Sequence, residues 1–203
     1  MPLFGLLAAY LLGSIPSALI AGRLVKGIDL REHGSGNLGA TNVLRTLGAG
    51  VAIPVLLFDA LKGALPVYFF PRVLNASPAD WWAVGYGIAA IVGHVRPIYL
   101  RGRGGGKGVA TAAGVIAALA PVPFAIAFGV FVVAVALSRF VSLGSLLGAA
   151  VLPFAMLTRY PPTSPQVLLG VFTAGFVTWT HRANIGRLRR GEESRLGRRK
   201  EVG

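Results

Sequence analysis

The chain has 203 residues, of which 54% are hydrophobic and 13% charged, yet 20 Lys and Arg against 7 Asp and Glu give a net charge of +13. A soluble domain carries about twice that share of charged residues, so the composition favours a membrane protein over a water-soluble core, and a chain this apolar does not stay disordered. The absence of cysteine excludes disulfide frameworks, thiolate metal sites and cysteine nucleophiles. These features predict a small membrane protein whose charges lie in short segments.

The first apolar stretch predicts a transmembrane helix whose N-terminus lies outside the cell. No charged residue occurs from Met1 to Gly22, and the first cations, Arg23 and Lys26, follow the apolar run. A secretory signal peptide has its positive region first, so that alternative is excluded. Further spans, each near the ~20 residues that cross a bilayer, are predicted at 48–70, 81–100, 141–158 and 165–181.

The uncharged stretch between Lys107 and Arg139 is too long for one ordinary span, and Pro121 and Pro123 interrupt it. Two spans joined at these prolines bring the total to seven, with the N-terminus outside and the C-terminus in the cytoplasm. Seventeen of the 20 cations then lie on the cytoplasmic side, whereas six spans would place the basic C-terminal tail outside. The sequence therefore predicts an all-α integral membrane protein, a single polytopic domain over residues 1–203 with a basic cytoplasmic tail at about 187–203.

Three predicted cytoplasmic segments carry the polar chemistry: DLREHGSGNLGATNVLR at 29–45, RGRGGGKGVAT at 101–111 and THRANIGRLRR at 180–190. The first has the glycine spacing of a dinucleotide fingerprint, but a membrane helix precedes it where that motif needs a buried strand. The second lacks the Ser or Thr and the first Gly of a Walker motif. Glycine-rich turns that run into a helix still suit an anion, because backbone N–H groups converge there. A phosphate also needs side-chain cations, and Arg45 and Lys107 can supply them.

The three histidines do not predict a metal site. His33, His94 and His181 are separated from one another and from any other pattern of metal ligands. His94 ends a predicted span, and we interpret it as a structural residue. His181 lies three residues before Asn184, a spacing that puts both on one face of a helix and makes them a candidate site.

Other charged and small residues have simpler interpretations. Asp59 and Lys62 share an i, i+3 spacing inside a span, where ionisable groups are costly, and predict a mutually neutralising pair. Gly144 and Gly148 have the spacing of a helix-packing face. The tail at 187–200 is basic and has no Phe, Tyr or Trp, so it favours anionic lipid headgroups over nucleic acid.

Six runs of sequence follow one another along nearly the whole chain: GSIPSALI at 13–20, HGSGNLGATNVLR at 33–45, D-x-x-KG at 59–63, GHVRPIY at 93–99, GGKGVAT at 105–111 and HRANIGRL at 181–188. Together they resemble the bacterial acyl-phosphate:glycerol-3-phosphate acyltransferase family, PlsY. The resemblance implies an inner-membrane enzyme with its motifs in the cytoplasm. It would transfer a fatty acyl group from acyl phosphate to the 1-hydroxyl of glycerol 3-phosphate, the first step of phospholipid biosynthesis. The products would be 1-acylglycerol 3-phosphate, a lysophosphatidic acid, and phosphate.

The resemblance also implies roles for particular residues. Ser35, His181 and Asn184 are the expected catalytic residues. The expected phosphate-binding residues are Arg45, Lys107, Gly104, Gly105, Gly106, Gly108, Asn37, Thr41 and Ser142. No cofactor and no metal are expected. The expected partners are the two substrates and membrane lipids, with no nucleic acid and no obligate protein partner.

The expected mechanism is direct attack of the glycerol hydroxyl on acyl phosphate, without an acyl-enzyme. The H-x-x-x-x-D arrangement of the other large glycerolipid acyltransferase group is absent, and no cytoplasmic carboxylate stands out as a general base. The base is therefore expected to be His181 or an oxygen of a substrate phosphate. A transporter of an anionic metabolite is the alternative, but it predicts polar residues near the bilayer midplane, where only Asp59 and Lys62 occur.

Overall fold

The computed structural model describes residues 1–197 of the chain. The chain packs as two compact units, Met1–Ala120 and a second unit that begins at Pro121. From residue 1 to residue 197 every regular element is helical, which confirms the all-α prediction for that range. The end of the predicted basic tail, residues 198–203 with Lys200, lies outside the described residues.

The first unit contains six α-helices, and the loops between them carry the first two motifs. The helices are α1 Pro2–Gly13, α2 Ser17–Lys26, α3 Ala40–Leu47, α4 Ala49–Val73, α5 Ala79–Val95 and α6 Val109–Leu119. A short 3₁₀ turn, Ile98–Leu100, follows α5. Helix α4 packs against α1, α3, α5 and α6, so the glycine loop before α6 and the loop before α3 are both connected to helices that contact α4.

The second unit has four α-helices among its described residues. They are α7 Pro121–Ser138, α8 Val141–Leu157, α9 Pro165–Thr180 and α10 Arg182–Arg189. Helix α8 packs against both α7 and α9. The side chain of Ser164 caps α9 by accepting a hydrogen bond from the Val167 N–H over 3.3 Å. Helix α10 carries the third motif directly after α9.

Every stretch predicted as a membrane span contains an α-helix, although residues 14–16 and 96–97 interrupt two of these stretches. Within residues 1–197, four helical stretches are long and apolar enough to cross a membrane: Pro2–Lys26, Ala49–Val73, Ala79–Leu100 and Pro121–Ser138. Val109–Leu119 and Val141–Leu157 are shorter apolar helices, and α9 has 16 residues. The count of seven crossings and their direction stay predictions.

Prolines interrupt the helices at two places. The predicted first span is divided, since α1 ends at Gly13 and α2 begins at Ser17, directly after Pro16. Proline has no N–H and keeps the residue before it out of the helical region, so a helix ends there. The carbonyl oxygen of Ile15, next to the break, accepts a hydrogen bond from the Lys62 ammonium over 2.9 Å. The second break lies at the predicted junction, where Pro121 begins α7.

Small residues allow α4 and α6 to approach closely. A Cβ atom at Gly114 of α6 would collide with the carbonyl oxygen of Ala60 in α4, and one at Gly63 of α4 would collide with the carbonyl oxygen of Thr111. Membrane helices gain packing energy from such contacts, because lipid supplies no hydrophobic drive for them to associate. The reciprocal contact fixes the distance between α4 and the helix that follows the glycine loop.

The predicted packing face at Gly144 and Gly148 is confirmed. A Cβ atom at Gly144 would lie 2.9 Å from the carbonyl oxygen of Phe131, and one at Gly148 would lie 3.0 Å from that of Ala127. Both carbonyl groups belong to α7. The two glycines therefore let the backbone of α8 lie close to the backbone of α7.

Replacing Gly114 by Ala is expected to lower the stability of the purified protein by about 1–3 kcal/mol, because the added methyl group has no room beside Ala60. Gly129 in α7 has no neighbouring atom within 4 Å of a Cβ position, so Gly129→Ala is the matched control and is expected to be neutral or slightly stabilising. Thermal unfolding in detergent measures both variants. Equal midpoints would contradict the close packing of α6 on α4.

Candidate active site

The first motif forms an ordered loop between α2 and α3 because two of its leucines are buried. Leu30 is 0% exposed and Leu38 3% exposed, and both belong to an apolar cluster with Val43 of α3 and Val55 of α4. Full burial of a leucine contributes about 1.5–3 kcal/mol. These two anchors hold the polar segment between them against the first unit.

Asn42 fixes the path of this loop. Its side chain is buried in the first turn of α3, and its Oδ1 accepts a hydrogen bond from the Ser35 N–H over 2.9 Å. Its Nδ2 donates to the carbonyl oxygens of Leu30, at 3.2 Å, and of His33, at 3.0 Å. The loop is thus closed by the hydrogen bonds of a single side-chain amide, that of Asn42. The side chain of Ser35 remains exposed to solvent.

A carboxylate beside the same loop is ionised over the whole physiological range. The Arg31 guanidinium donates to Asp29 over 2.6 Å, and Arg23 lies 3.8 Å away. The hydrogen bond from Arg31 lowers the pKa of Asp29 to about 2. Asp29 is therefore a partner for neighbouring cations and a poor acceptor of a proton at neutral pH.

The second motif is a glycine loop that lies against the end of α5. Gly104 and Gly108 have φ angles of +70° and +80°, a left-handed conformation that glycine adopts without strain. The Gly106 N–H donates to the carbonyl oxygen of His94 over 3.2 Å, and a Cβ atom at Gly106 would collide with the His94 ring. Helix α6 begins directly after Gly108, so the predicted order of glycine turn and helix N-terminus is observed.

The structure connects the first and second motifs. The Asn37 side chain donates to the carbonyl oxygen of Gly105 over 3.4 Å. A Cβ atom at Gly104 would lie 3.0 Å from the Cδ atom of Arg31, so the stem of this arginine is next to the glycine loop. Two predicted phosphate-binding segments of the first unit are therefore neighbours.

The predicted cations and hydroxyls of these loops differ in exposure. Arg45, in the last turn of α3, is exposed, and Lys107, in the glycine loop, is half-buried. Thr41 is half-buried in the first turn of α3. Solvent reaches both cations, and Lys107 lies beside the backbone N–H groups of the glycine turn. This combination is suited to bind a soluble phosphate ester.

A buried polar cluster lies next to the glycine loop. Asp59 Oδ1 accepts hydrogen bonds from Ser17 Oγ over 2.6 Å and from Lys62 Nζ over 2.8 Å, which confirms the predicted pair. His94 does not stand apart as expected, because its Nδ1 lies 3.6 Å from the same carboxylate oxygen. Ser17, Lys62 and His94 also line a small open pocket whose wall includes Gly105 and Gly106. We call the four residues Ser17, Asp59, Lys62 and His94 the Asp59 cluster.

The third motif lies in the second unit. His181 is the residue before α10, and Asn184 follows in its first turn, and both side chains are buried. His181 Nδ1 lies 2.9 Å from the carbonyl oxygen of Val177. Because a carbonyl group can only accept, Nδ1 carries the proton and Nε2 is the basic nitrogen of the neutral ring.

Glu193 holds two of the predicted site residues in the second unit. Its Oε1 accepts hydrogen bonds from Ser142 Oγ over 2.7 Å and from Asn184 Nδ2 over 2.6 Å, and its Oε2 accepts one from Arg187 Nε over 2.7 Å. Partial burial raises the pKa of Glu193, but the three hydrogen bonds outweigh burial and lower it below the ordinary glutamate value. The carboxylate is therefore ionised at neutral pH.

Three residues that contribute to these sites were missed in the sequence. Asn42 and Glu193 lie in or next to the first and third motifs, and Ser17 follows Pro16 at the start of α2. An Asn in the first turn of a helix after a glycine-rich loop is a signal for a loop-closing hydrogen bond. Carboxylates among many arginines, as at Glu192 and Glu193, are a signal for ion pairs. No comparable signal connects Ser17 to Asp59.

No cluster of three metal-binding side chains occurs within residues 1–197. The part of the chain that the structure describes instead offers cations, amide groups and glycine N–H groups. Such donors bind oxyanions and stabilise negative charge that develops on an oxygen atom. The arrangement is suited to a reaction between phosphate-bearing substrates.

Comparison with known proteins agrees with this chemistry. The sequence model of the family described as "Glycerol-3-phosphate acyltransferase" matches residues 3–191. The glycerol-3-phosphate acyltransferase of Synechococcus elongatus is 47% identical over 198 residues, which cover 95% of this chain and 93% of the relative. That of Trichlorobacter lovleyi is 48% identical over 195 residues, which cover 96% and 97%.

Two crystal structures of PlsY, an integral membrane glycerol 3-phosphate acyltransferase, have the same fold. The glycerol 3-phosphate form is 35% identical, with a TM-score of 0.84, and the match covers 97% of this chain and 96% of that one. The lysophosphatidic acid form is 36% identical, with a TM-score of 0.85 and a coverage of 97% and 95%. The chain therefore belongs to the glycerol-3-phosphate acyltransferase family and is an integral membrane acyltransferase.

Proposed function

We propose that the protein transfers a fatty acyl group from acyl phosphate to the 1-hydroxyl of glycerol 3-phosphate, giving 1-acylglycerol 3-phosphate and phosphate. The observation that carries this proposal is the family match at 47–48% identity over nearly the whole chain. The related PlsY structures are described as a glycerol 3-phosphate form and a lysophosphatidic acid form, which correspond to an acceptor and a product. The choice of acyl phosphate as donor is the proposal's own step.

The proposed reaction needs positioned charges more than a strong nucleophile of the protein. Acyl phosphate is a mixed anhydride with phosphate as its leaving group. The 1-hydroxyl oxygen bonds to the acyl carbon, the bond from that carbon to the phosphate oxygen breaks, and phosphate leaves with the electron pair. Fixing the hydroxyl near the acyl carbon and stabilising the leaving phosphate can supply much of the rate enhancement. No acyl-enzyme forms in this scheme.

The first and second motifs carry the cations and glycine N–H groups that we propose for binding the substrate phosphates. Arg45 and Lys107 neutralise substrate phosphates, and the glycine loop 104–108 donates backbone N–H groups to them. Ser35 orients a substrate oxygen from its exposed position on the first loop. Asn37 holds the first loop beside the glycine loop through its hydrogen bond to Gly105, while Thr41 adds a hydroxyl donor.

The third-motif residues have the proposed roles that the family resemblance implies. Asn184 and Ser142 are amide and hydroxyl groups for substrate oxygens, and both are oriented by Glu193. The proton of the attacking hydroxyl passes to His181 Nε2 or to an oxygen of a substrate phosphate. Glu193 is a poor candidate for this base, because three donors already occupy its carboxylate and its pKa is lowered.

The proposal places the whole chain, 1–203, in the bacterial inner membrane as one polytopic domain. Its support is the charge distribution, since seven crossings put 17 of the 20 cations on the cytoplasmic side. The N-terminus then lies outside and the three motifs face the cytoplasm, where glycerol 3-phosphate is soluble. No cofactor, nucleic acid or protein partner takes part. Membership in an acyltransferase family removes the main support for the alternative of an anion transporter.

The purified protein in detergent or lipidic mesophase is expected to acylate glycerol 3-phosphate when it is given acyl phosphate, and to use acyl-CoA at most weakly. Mass spectrometry of the lipid product and release of phosphate measure the reaction with each donor offered separately. Strong use of acyl-CoA would overturn the proposed donor. A radiolabelled acyl group recovered covalently on Ser35 would overturn direct attack, and a preparation that forms no acylated product with either donor would favour transport.

Arg45→Ala and Lys107→Ala are each expected to lower kcat/KM by about 100-fold or more. Each substitution removes a charged hydrogen-bond donor that would stabilise the negative charge developing on phosphate in the transition state. Arg159→Ala is the matched control, since it removes an exposed arginine that the predicted topology puts on the other side of the membrane. Steady-state kinetics with matched thermal unfolding curves separates loss of activity from loss of fold. Wild-type kinetics in both site variants would refute their assignment.

Glu193→Gln is expected to lower the stability by about 2 kcal/mol at pH 7, because the new amide turns an N–H group toward the donors that Glu193 accepts from. The folded-state pKa of Glu193 is lowered, so its stabilisation is present above the unfolded pKa of about 4.3 and is lost as pH falls through the folded pKa. The difference between wild type and variant should therefore shrink below that range. Unfolding midpoints measured from pH 7 to pH 3 test this, and a difference that does not change with pH would contradict it.

A further inference from the structure

The Asp59 cluster has no part in the proposed reaction, although it holds two buried charges. Asp59 is 1% exposed and Lys62 2% exposed, both inside α4. Filling the same volume with apolar side chains is often neutral or stabilising, so stability alone is a weak reason for a buried ion pair. A second feature distinguishes this pair, since its carboxylate also has a hydroxyl and an imidazole as neighbours.

Three residues from three elements converge on one oxygen of Asp59. Ser17, at the start of α2, donates to Oδ1 over 2.6 Å, and Lys62 donates to the same atom over 2.8 Å. His94, at the end of α5, has its Nδ1 3.6 Å from that atom. Lys62 also donates to the Ile15 carbonyl oxygen at the helix break, so the carboxylate is fixed from several directions. An anion held in this way orients the imidazole ring that faces it.

The opposite side of the same ring touches the glycine loop. A Cβ atom at Gly106 would collide with His94 Nε2, which places the Gly106 backbone directly against the ring. The Gly106 N–H donates to the His94 carbonyl oxygen over 3.2 Å, and the Gly105 backbone lies against the carbonyl oxygens of His94 and Val95. Lys107 is the next residue in the loop. The position of the His94 ring therefore limits where the loop and Lys107 can lie.

We propose that Asp59 is a positioning residue for the acyl transfer, which acts through the His94 ring to fix the glycine loop 104–108 for phosphate binding. This inference rests on the proposed function of that loop. Asp59 itself touches no substrate. Ser17, Lys62, His94, Gly105 and Gly106 line one small open pocket, so the cluster and the loop share one surface. The Asp59 cluster supports this surface from its buried side.

The first test compares Asp59→Asn with a loop variant. Gly104→Ala strains the loop directly, because Gly104 has a positive φ angle. Measuring the KM of this variant for each substrate in turn identifies the substrate whose binding depends on the loop. Asp59→Asn is expected to raise the KM of that same substrate by about tenfold, and to leave kcat within about threefold, because it weakens ground-state and transition-state binding alike. An unchanged KM in folded Asp59→Asn protein would overturn the proposal.

The second test asks whether the effect passes through His94. His94→Gln is expected to raise the same KM, and Asp59→Asn is expected to add less than about twofold in that background, because residues that act in one chain of contacts are not additive. Multiplied effects in the double variant would show that Asp59 acts independently of His94. That result would also overturn the proposal.

Two further variants keep the test decisive. If Asp59→Asn does not fold, Ser17→Ala removes one hydrogen bond to the same carboxylate and should raise the same KM, while Ser17→Thr should restore it. Val67→Ala is the structural control, because Val67 is buried in the same helix and its substitution should lower the unfolding temperature without moving KM. A KM shift in Val67→Ala equal to that in Asp59→Asn, or no shift in Ser17→Ala, would count against positioning. Turnover by the wild-type protein in the same assays tests the proposed function separately.

Discussion

Polar groups inside a bilayer need partners from the protein, and this requirement explains how the first unit is built. Lipid offers no hydrogen bonds, so buried donors and acceptors depend on partners within the chain. Asp59 meets Ser17 and Lys62, and Lys62 meets the backbone at Ile15. The same rule applies in the first loop, where Asn42 satisfies the backbone groups of a segment that makes no regular structure of its own.

In the proposed site, the loops and the side chains have different tasks in binding phosphate. The glycine loop contributes shape and N–H groups, because its residues have no side chains that would keep it from the end of α5. The charges come from side chains, from Arg45 of α3 and from Lys107 within the loop. In the second unit a carboxylate, Glu193, orders neutral donors and an arginine instead. The proposed transfer from acyl phosphate needs this kind of ordered donor set and no nucleophile of unusual reactivity.

Features of the fold and site with local causes could be predicted from the sequence. The apolar stretches gave the helices, Pro121 marked the junction between α6 and α7, and the spacing of Asp59 and Lys62 predicted their pair. The contacts that were missed join residues far apart in sequence, such as Ser17 with Asp59, 42 positions away, and Ser142 with Glu193, 51 positions away. No periodicity encodes such pairs, because the packing of whole helices brings them together. The break at Pro16 was missed for another reason, since the run from Met1 to Gly22 is apolar on both sides of it.

That break has a consequence for attempts to redesign the protein. A straight first helix would use the Ile15 carbonyl for its own backbone hydrogen bond, and replacing Pro16 by a strong helix former is the obvious way to obtain one. The ammonium of Lys62 would then lose one of its two acceptors and keep the Asp59 carboxylate as its remaining partner. A substitution chosen to regularise one helix would thus leave a cation of another helix undersolvated in the membrane, so Pro16 and Lys62 have to be engineered together.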